Sequence, residues 1–187
     1  MIQTKSELEY YLRKDREALG ISRRCPRLVG DDIWKFEIAL RKHEYYHNAV
    51  IGCGGVIYKV KKFFWSFVHY RLGIRLGIQI PINVFGEGLR INHFGLIVVN
   101  SNARIGKFCD IHQGVNIGAN TDGCTPCIGN NCWIGPGAKI FGGIRLGNGI
   151  MIGAGSVVNK DFREDNITIA GVPARKIKDI GEPYHRK

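Results

Sequence analysis

His93 and His112 carry the side chain best suited to take and give protons at neutral pH, an imidazole whose ordinary pKa is about 6.5. They stand in Asn92-His93-Phe94-Gly95 and Asp110-Ile111-His112-Gln113. A second grouping with chemistry in it is Cys124-Thr125-Pro126-Cys127, with Cys132 close behind. A C-x-x-C pair serves redox exchange or half a zinc site, but a single pair outside a βαβ setting defines neither, and no metal is expected. The six cysteines (Cys25, Cys53, Cys109, Cys124, Cys127, Cys132) follow no apolar leader and read as thiols, with a cytoplasmic location expected. No run reaches the ~18 apolar residues of a spanning helix.

The elements that must position these side chains show in the spacing of aliphatic residues. Val99, Ile105, Ile111 and Ile117, then Ile128, Ile134, Ile140, Leu146, Ile152 and Val158, return every six positions, and glycine often follows them. A helix needs a period of 3.6 and a two-sided strand a period of 2, so neither explains it. Six-residue units fit a mainly β fold, a left-handed parallel β-helix of hexapeptide repeats. Three units close one coil, and the aliphatic residues stack into a shared core. The ten units imply three to four coils. The expected organisation is an α-helical N-terminal region over 1–77, the β-helix over 78–173 and a C-terminal tail over 174–187.

Within 1–77, Thr4-Lys5-Ser6-Glu7 reads as a capping box opening a first helix. Asp31 or Asp32 caps a second, and a third runs from about Val56 to Leu76. The third mixes Phe63, Phe64 and Phe67 with Lys59, Lys61, Lys62, Arg71 and Arg75, a pattern that fits peripheral membrane contact. The expected arrangement is instead that its apolar residues pack on neighbouring helices or the next domain, with the lysines solvated. The net charge of +11 on 187 residues, with 15 Lys or Arg against 8 Asp or Glu in residues 1–77, calls for an anionic partner. No nucleic-acid motif accompanies it, so no nucleic acid is expected.

The six-residue register slips twice, and an unbroken repeat is only a scaffold, so function is sought at the slips. Ile91 and Val99 are eight apart, enclosing His93, and Ile117 and Ile128 are eleven apart, enclosing Gly118 to Cys127. Gly86-Glu87-Gly88-Leu89 leading to Asn92-His93, Gln113-Gly114-Val115-Asn116-Ile117-Gly118, Ile134-Gly135-Pro136-Gly137-Ala138-Lys139-Ile140, Ile152-Gly153-Ala154-Gly155-Ser156-Val157-Val158 and Ala170-Gly171-Val172-Pro173-Ala174-Arg175 then resemble a known family. The chain from Ile78 to Ile177 resembles the serine acetyltransferases and the related surface-polysaccharide O-acetyltransferases. That resemblance implies acetyl-CoA as acyl donor, His93 as general base toward an acceptor hydroxyl, and a homotrimer with sites between subunits. His112 is the alternative base. The pantetheine groove is implied at Gly135, Ala138, Gly153, Ala154 and Ser156, with Lys160, Arg175 and Lys176 toward the phosphates.

The departures bear on the acceptor. The family carries aspartate where this chain has Asn92, and a second aspartate in a segment matching Ile78-Gln79-Ile80-Pro81. Orientation of His93 then falls to Glu87, Asp110 or a backbone carbonyl. The family's Arg-His pair before proline aligns with Cys124-Thr125, which removes the guanidinium that would grip a serine carboxylate. The expected acceptor is therefore a saccharide hydroxyl of a surface polysaccharide. L-serine, as in cysteine biosynthesis, is the alternative, and a non-catalytic β-helix scaffold is the third reading.

Overall fold

The computed structural model describes residues 1–53 and 55–181, the side chains at 52 and 53 excepted. The Cys53 thiol and residues 182–187 of the expected tail lie outside the described residues. Three helices, α1 (Lys5–Ala18), α2 (Asp32–Cys53) and α3 (Val56–Leu76), precede fourteen short strands. The capping box forms: Thr4 Oγ1 accepts the Glu7 N–H at 3.2 Å while Glu7 Oε2 accepts the Thr4 N–H at 2.9 Å. Gly77, in left-handed conformation, ends α3.

The strands build the three faces of a left-handed parallel β-helix. The first face stacks Ile78–Gln79, Ile97–Val99, Asn116–Gly118, Lys139–Phe141 and Val157–Val158. The second stacks Arg104–Ile105, Cys127–Ile128 and Arg145–Leu146. The third stacks Arg90–Ile91, Asp110–Ile111, Trp133–Ile134, Met151–Ile152 and Thr168–Gly171. Every aliphatic residue of the six-residue period is buried, because alternation along each short strand sends one side chain inward. The first face has five rungs rather than three or four. Ile78 to Ile91 and Phe162 to Ile169 supply outer rungs whose spacing departs from six, so the strict period undercounts them.

Register locates the two slips. Ile134 pairs with Ile152, 18 positions on, which is one regular coil of three hexads. Ile91 pairs with Ile111, 20 on, and Ile111 with Ile134, 23 on, so the slips insert two and five residues. The segment from 174 is not all tail: Ala174–Lys178 folds back antiparallel on Thr168–Gly171 and covers that end of the third face.

The opposite end is closed by the helices, through a buried polar network. Arg41, 0% exposed, uses its five N–H groups on Asp15 Oδ2 (2.7 Å) and Oδ1 (3.3 Å), Glu44 Oε2 (3.3 Å) and the carbonyls of Phe85 (3.0 Å) and Gly86 (2.6 Å). Asp15 Oδ1 also accepts the Gly88 and Leu89 N–H groups at 2.8 and 2.9 Å, and Glu37 Oε1 accepts that of Ile91 at 3.2 Å. These backbone groups edge the first coil, where no earlier strand exists to pair them. Burial pushes the Asp15 carboxyl up despite Arg41, and pushes Glu37 well up, helped by the charge of Asp15.

Helix α3 departs from expectation. Trp65, Val68, His69, Leu72 and Leu76 turn inward, but Val56, Val60, Phe63, Phe67, Tyr70 and Ile74 are exposed. The helix carries apolar residues on both sides, and α2 with the first face covers only one.

Candidate active site

The corner where the chain passes from the third face to the first holds most of the candidate residues. Parallel register stacks Ile91, Ile111, Ile134 and Ile152, so the residue after each also forms a row: Asn92, His112, Gly135 and Gly153. Each donates its backbone N–H down the stack, Asn92 to Ile111 O (3.1 Å), His112 to Ile134 O (3.2 Å), Gly135 to Ile152 O (2.9 Å) and Gly153 to Ile169 O (2.8 Å). The row continues at Ala170, which pairs with Arg175. A Cβ on Gly135 would lie 2.6 Å from Ile152 O, so coil stacking alone already demands glycine there.

His93 stands one residue beyond this row, exposed on the two-residue slip, and its ring centroid is 6.1 Å from that of His112. The slip is held by the Gly95 N–H on Leu76 O at 2.8 Å, which ties it to the end of α3. His112 is half-buried, with its ring edge-on to Trp133 at 4.9 Å. Burial lowers the His112 pKa, the nearby Asp110 carboxylate opposing it and His93 and Arg90 reinforcing it, which keeps this imidazole neutral.

Buried Asp110 organises the polar side of the corner. It accepts from Asn92 Nδ2 and from Arg90 Nη1 (3.4 Å) and lies 3.7 Å from His112 Nε2, while Asn92 Nδ2 is also 3.2 Å from His112 Nε2. The amide of Asn92 thus links the carboxylate to His112. Glu87, the other carboxylate considered for orienting His93, is engaged with Lys107 Nζ at 2.9 Å. Gln113, next in sequence to His112 and on the rung beneath His93, has Oε1 buried with no hydrogen-bond partner among the described residues. Composition and spacing did not single out Gln113, Arg90 or Trp133. Only their register beside His93 and His112 does so.

Other candidates are not gathered here. Cys124 and Thr125 lie on the five-residue insertion between the first and second faces, the far edge of the first face from His93. The insertion folds on itself, with the Cys124 N–H on Asp122 Oδ1 at 2.7 Å. Lys160 is at that same far corner, beside Phe162. Ala138 and Ser156 are fully buried, the Ser156 hydroxyl accepting the Gly171 N–H at 3.2 Å, so neither side chain lines an open groove. Ala154 and Arg175 are exposed along the row, whereas Lys176 is paired with Glu164 and Asp179. Cys124 and Cys127 are exposed and Cys132 is buried. Among the described residues, no group of three or more His, Cys, Asp or Glu is placed to hold a metal.

Known proteins share this architecture. Residues 128–160 match the bacterial transferase hexapeptide (six repeats) family. A serine acetyltransferase of Synechococcus elongatus is 38% identical over 109 residues, 56% of this chain and 44% of that protein. One of Bacillus pumilus is 31% identical over 158 residues, 82% of this chain and 66% of that protein. The chain thus spans less than two thirds of the length of these relatives. The crystal structure of serine acetyltransferase from Brucella abortus strain S19 superposes with a TM-score of 0.72 at 30% identity, covering 94% of this chain and 71% of that one. The same enzyme in complex with coenzyme A gives a TM-score of 0.71 at 30% identity, covering 95% and 69%.

Proposed function

The chain belongs to the hexapeptide-repeat acetyltransferases, and from that premise we propose that it transfers an acetyl group from acetyl-CoA to an acceptor hydroxyl, L-serine being the acceptor best supported. The observation that carries this reading is the likeness, over 95% of the chain at 30% identity, to a serine acetyltransferase in complex with coenzyme A. The row from Asn92 to Ala170 supports it, since the exposed His93 stands beside its start and the small residues Gly135, Gly153 and Ala170 lead from there to Arg175, a cation suited to phosphate.

In this mechanism His93 accepts the hydroxyl proton as the oxygen attacks the thioester carbonyl carbon. It then returns that proton to the sulfur as the carbon–sulfur bond breaks, leaving an acetyl ester and free coenzyme A. Asn92 and Asp110 fix the neighbouring His112. The 118–127 insertion lies at the opposite edge of the first face, so a homotrimer, bringing one copy's insertion to its neighbour's His93, completes the cleft.

A second reading, a saccharide acceptor, is favoured by one feature: the insertion presents Cys124 and Thr125, with no guanidinium for a serine carboxylate. Thiol release from acetyl-CoA is to be measured with L-serine and, separately, with nucleotide sugars and lipid-linked glycans. Turnover with serine, lowered about 10²- to 10⁴-fold in His93→Ala, is expected. Turnover with glycans alone moves the acceptor to the second reading. Unchanged turnover in His93→Ala with the active acceptor overturns the assignment of the base, and its loss in His112→Ala alone transfers the role to His112.

A further inference from the structure

The outward side of α3 is an apolar surface that no other part of the described chain covers. Val56, Val60, Phe63, Phe67, Tyr70 and Ile74 follow one another at spacings of four and three, so they form a single stripe, with Phe63 76% and Phe67 57% exposed. An uninterrupted patch of this kind marks a contact surface.

Its charge decides what fits. Helix α3 contains Lys59, Lys61, Lys62, Arg71 and Arg75 and no Asp or Glu. Among the described residues only Arg75 of these meets a carboxylate, that of Asp32 at 3.7 Å, and Lys61 turns to the Tyr46 ring of α2, so Lys59 and Arg71 are the cations on either side of the stripe. A second copy applying its own α3 to this stripe would set like charges against each other with no acid between them, which disfavours that pairing. An anionic lipid surface suits both parts of the face. Phenylalanine and tyrosine rings enter the headgroup boundary, while lysine and arginine meet lipid phosphates. No helix is long and apolar enough to cross a membrane among the described residues, so α3 lies along the surface rather than through it.

We propose that α3 docks this protein on anionic membrane surfaces through the stripe from Val56 to Ile74 and its flanking cations. The docking is independent of the acceptor the enzyme uses.

The test sediments the full chain with vesicles of phosphatidylcholine alone and with vesicles that also contain phosphatidylglycerol. Binding to the anionic vesicles is expected to exceed binding to neutral ones by at least about tenfold and to fall as salt is raised. The pair Phe63→Ser and Phe67→Ser, and separately the pair Lys59→Gln and Arg71→Gln, are each expected to lower it about tenfold. The replaced side chains are exposed, so circular dichroism and the thermal midpoint stay unchanged and report intact folding. Failure of the wild-type chain to sediment with anionic vesicles overturns the proposal. So does a result in which the phenylalanine pair leaves vesicle binding intact but splits a larger assembly of the wild-type chain in ultracentrifugation, which would assign the stripe to a second copy.

Discussion

Replacing Arg41 with methionine removes the group that joins the helices to the first coil of the β-helix. Methionine matches the stem of arginine in length and packing, so the change falls on the polar contacts. It strands two carboxylates, Asp15 (2% exposed) and Glu44 (1% exposed), and leaves the Phe85 and Gly86 carbonyls without their guanidinium donors. Breaking a buried ion pair from one side costs about 3–5 kcal/mol, and for a chain of this size each kcal/mol lowers the thermal midpoint by about 2–4 °C. A fall of roughly 10 °C at fixed protomer concentration is expected.

The sign of the pH dependence checks the cause. Asp15 and Glu37 already have raised pKa values in the fold, and losing the Arg41 cation raises them further. Between the unfolded carboxylate pKa and that raised value, the folded variant holds protons that the unfolded chain does not. Its deficit relative to wild type therefore shrinks as pH falls and is fully present at pH above the raised value. Adding Asp15→Asn to Arg41→Met removes one stranded charge while an amide oxygen still accepts from Gly88 and Leu89, and recovers about 1–2 kcal/mol. Urea unfolding followed by circular dichroism at pH 8 and pH 5 measures all of this. A deficit below about 1 kcal/mol, or one that grows toward acid, refutes the account of the network.

Gly129→Ala places a Cβ 2.4 Å from Gly147 O, backbone that cannot yield without unstacking a coil. It is expected to cost at least about 2 kcal/mol, whereas Gly55→Ala, whose Cβ meets only Tyr58 at 3.8 Å, costs no more than about 1 kcal/mol, from a poorer N-cap for α3; equal thermal midpoints for the two would contradict this. His43 and His69, in contact through their Nδ1 atoms at 3.2 Å, are both held neutral, with burial as the main cause and pKa values of about 4. The unfolded chain binds protons first, so stability is complete above about pH 6.5 and declines as pH falls toward 4. The half-buried His69 accounts for up to roughly 3 kcal/mol and His43, less enclosed, for less. His69→Phe should flatten the thermal midpoint between pH 7 and pH 5, and an undiminished slope would assign the acid loss elsewhere.

Much of the architecture was legible in the chain itself because it is local. The Thr4–Glu7 box, the limits of α3 and the buried ladder from Val99 to Val158 each follow from spacings within one turn or one hexad. The two slips were visible for the same reason, and so was the nomination of His93. Register across coils is not local. Partners lie 18 to 23 positions apart, and that offset sets Asp110 against Asn92, Gln113 beneath His93, and the Cys124 insertion at the opposite edge of the first face. Ala138 and Ser156 were legible as small residues, but that their side chains turn inward at the corners leading into Lys139–Phe141 and Val157–Val158 was decided by the coil.

The helical region shows the same division. Sequence determined that α3 is a helix, that it is basic and that its apolar residues recur at helical spacing. Which of its two apolar sides the fold would cover, and that Arg41 would spend all five donors closing the first coil, were decided only by the docking of the helices on the β-helix. A side chain's type limits what it can bond, and the tertiary arrangement alone settles which partners come within reach.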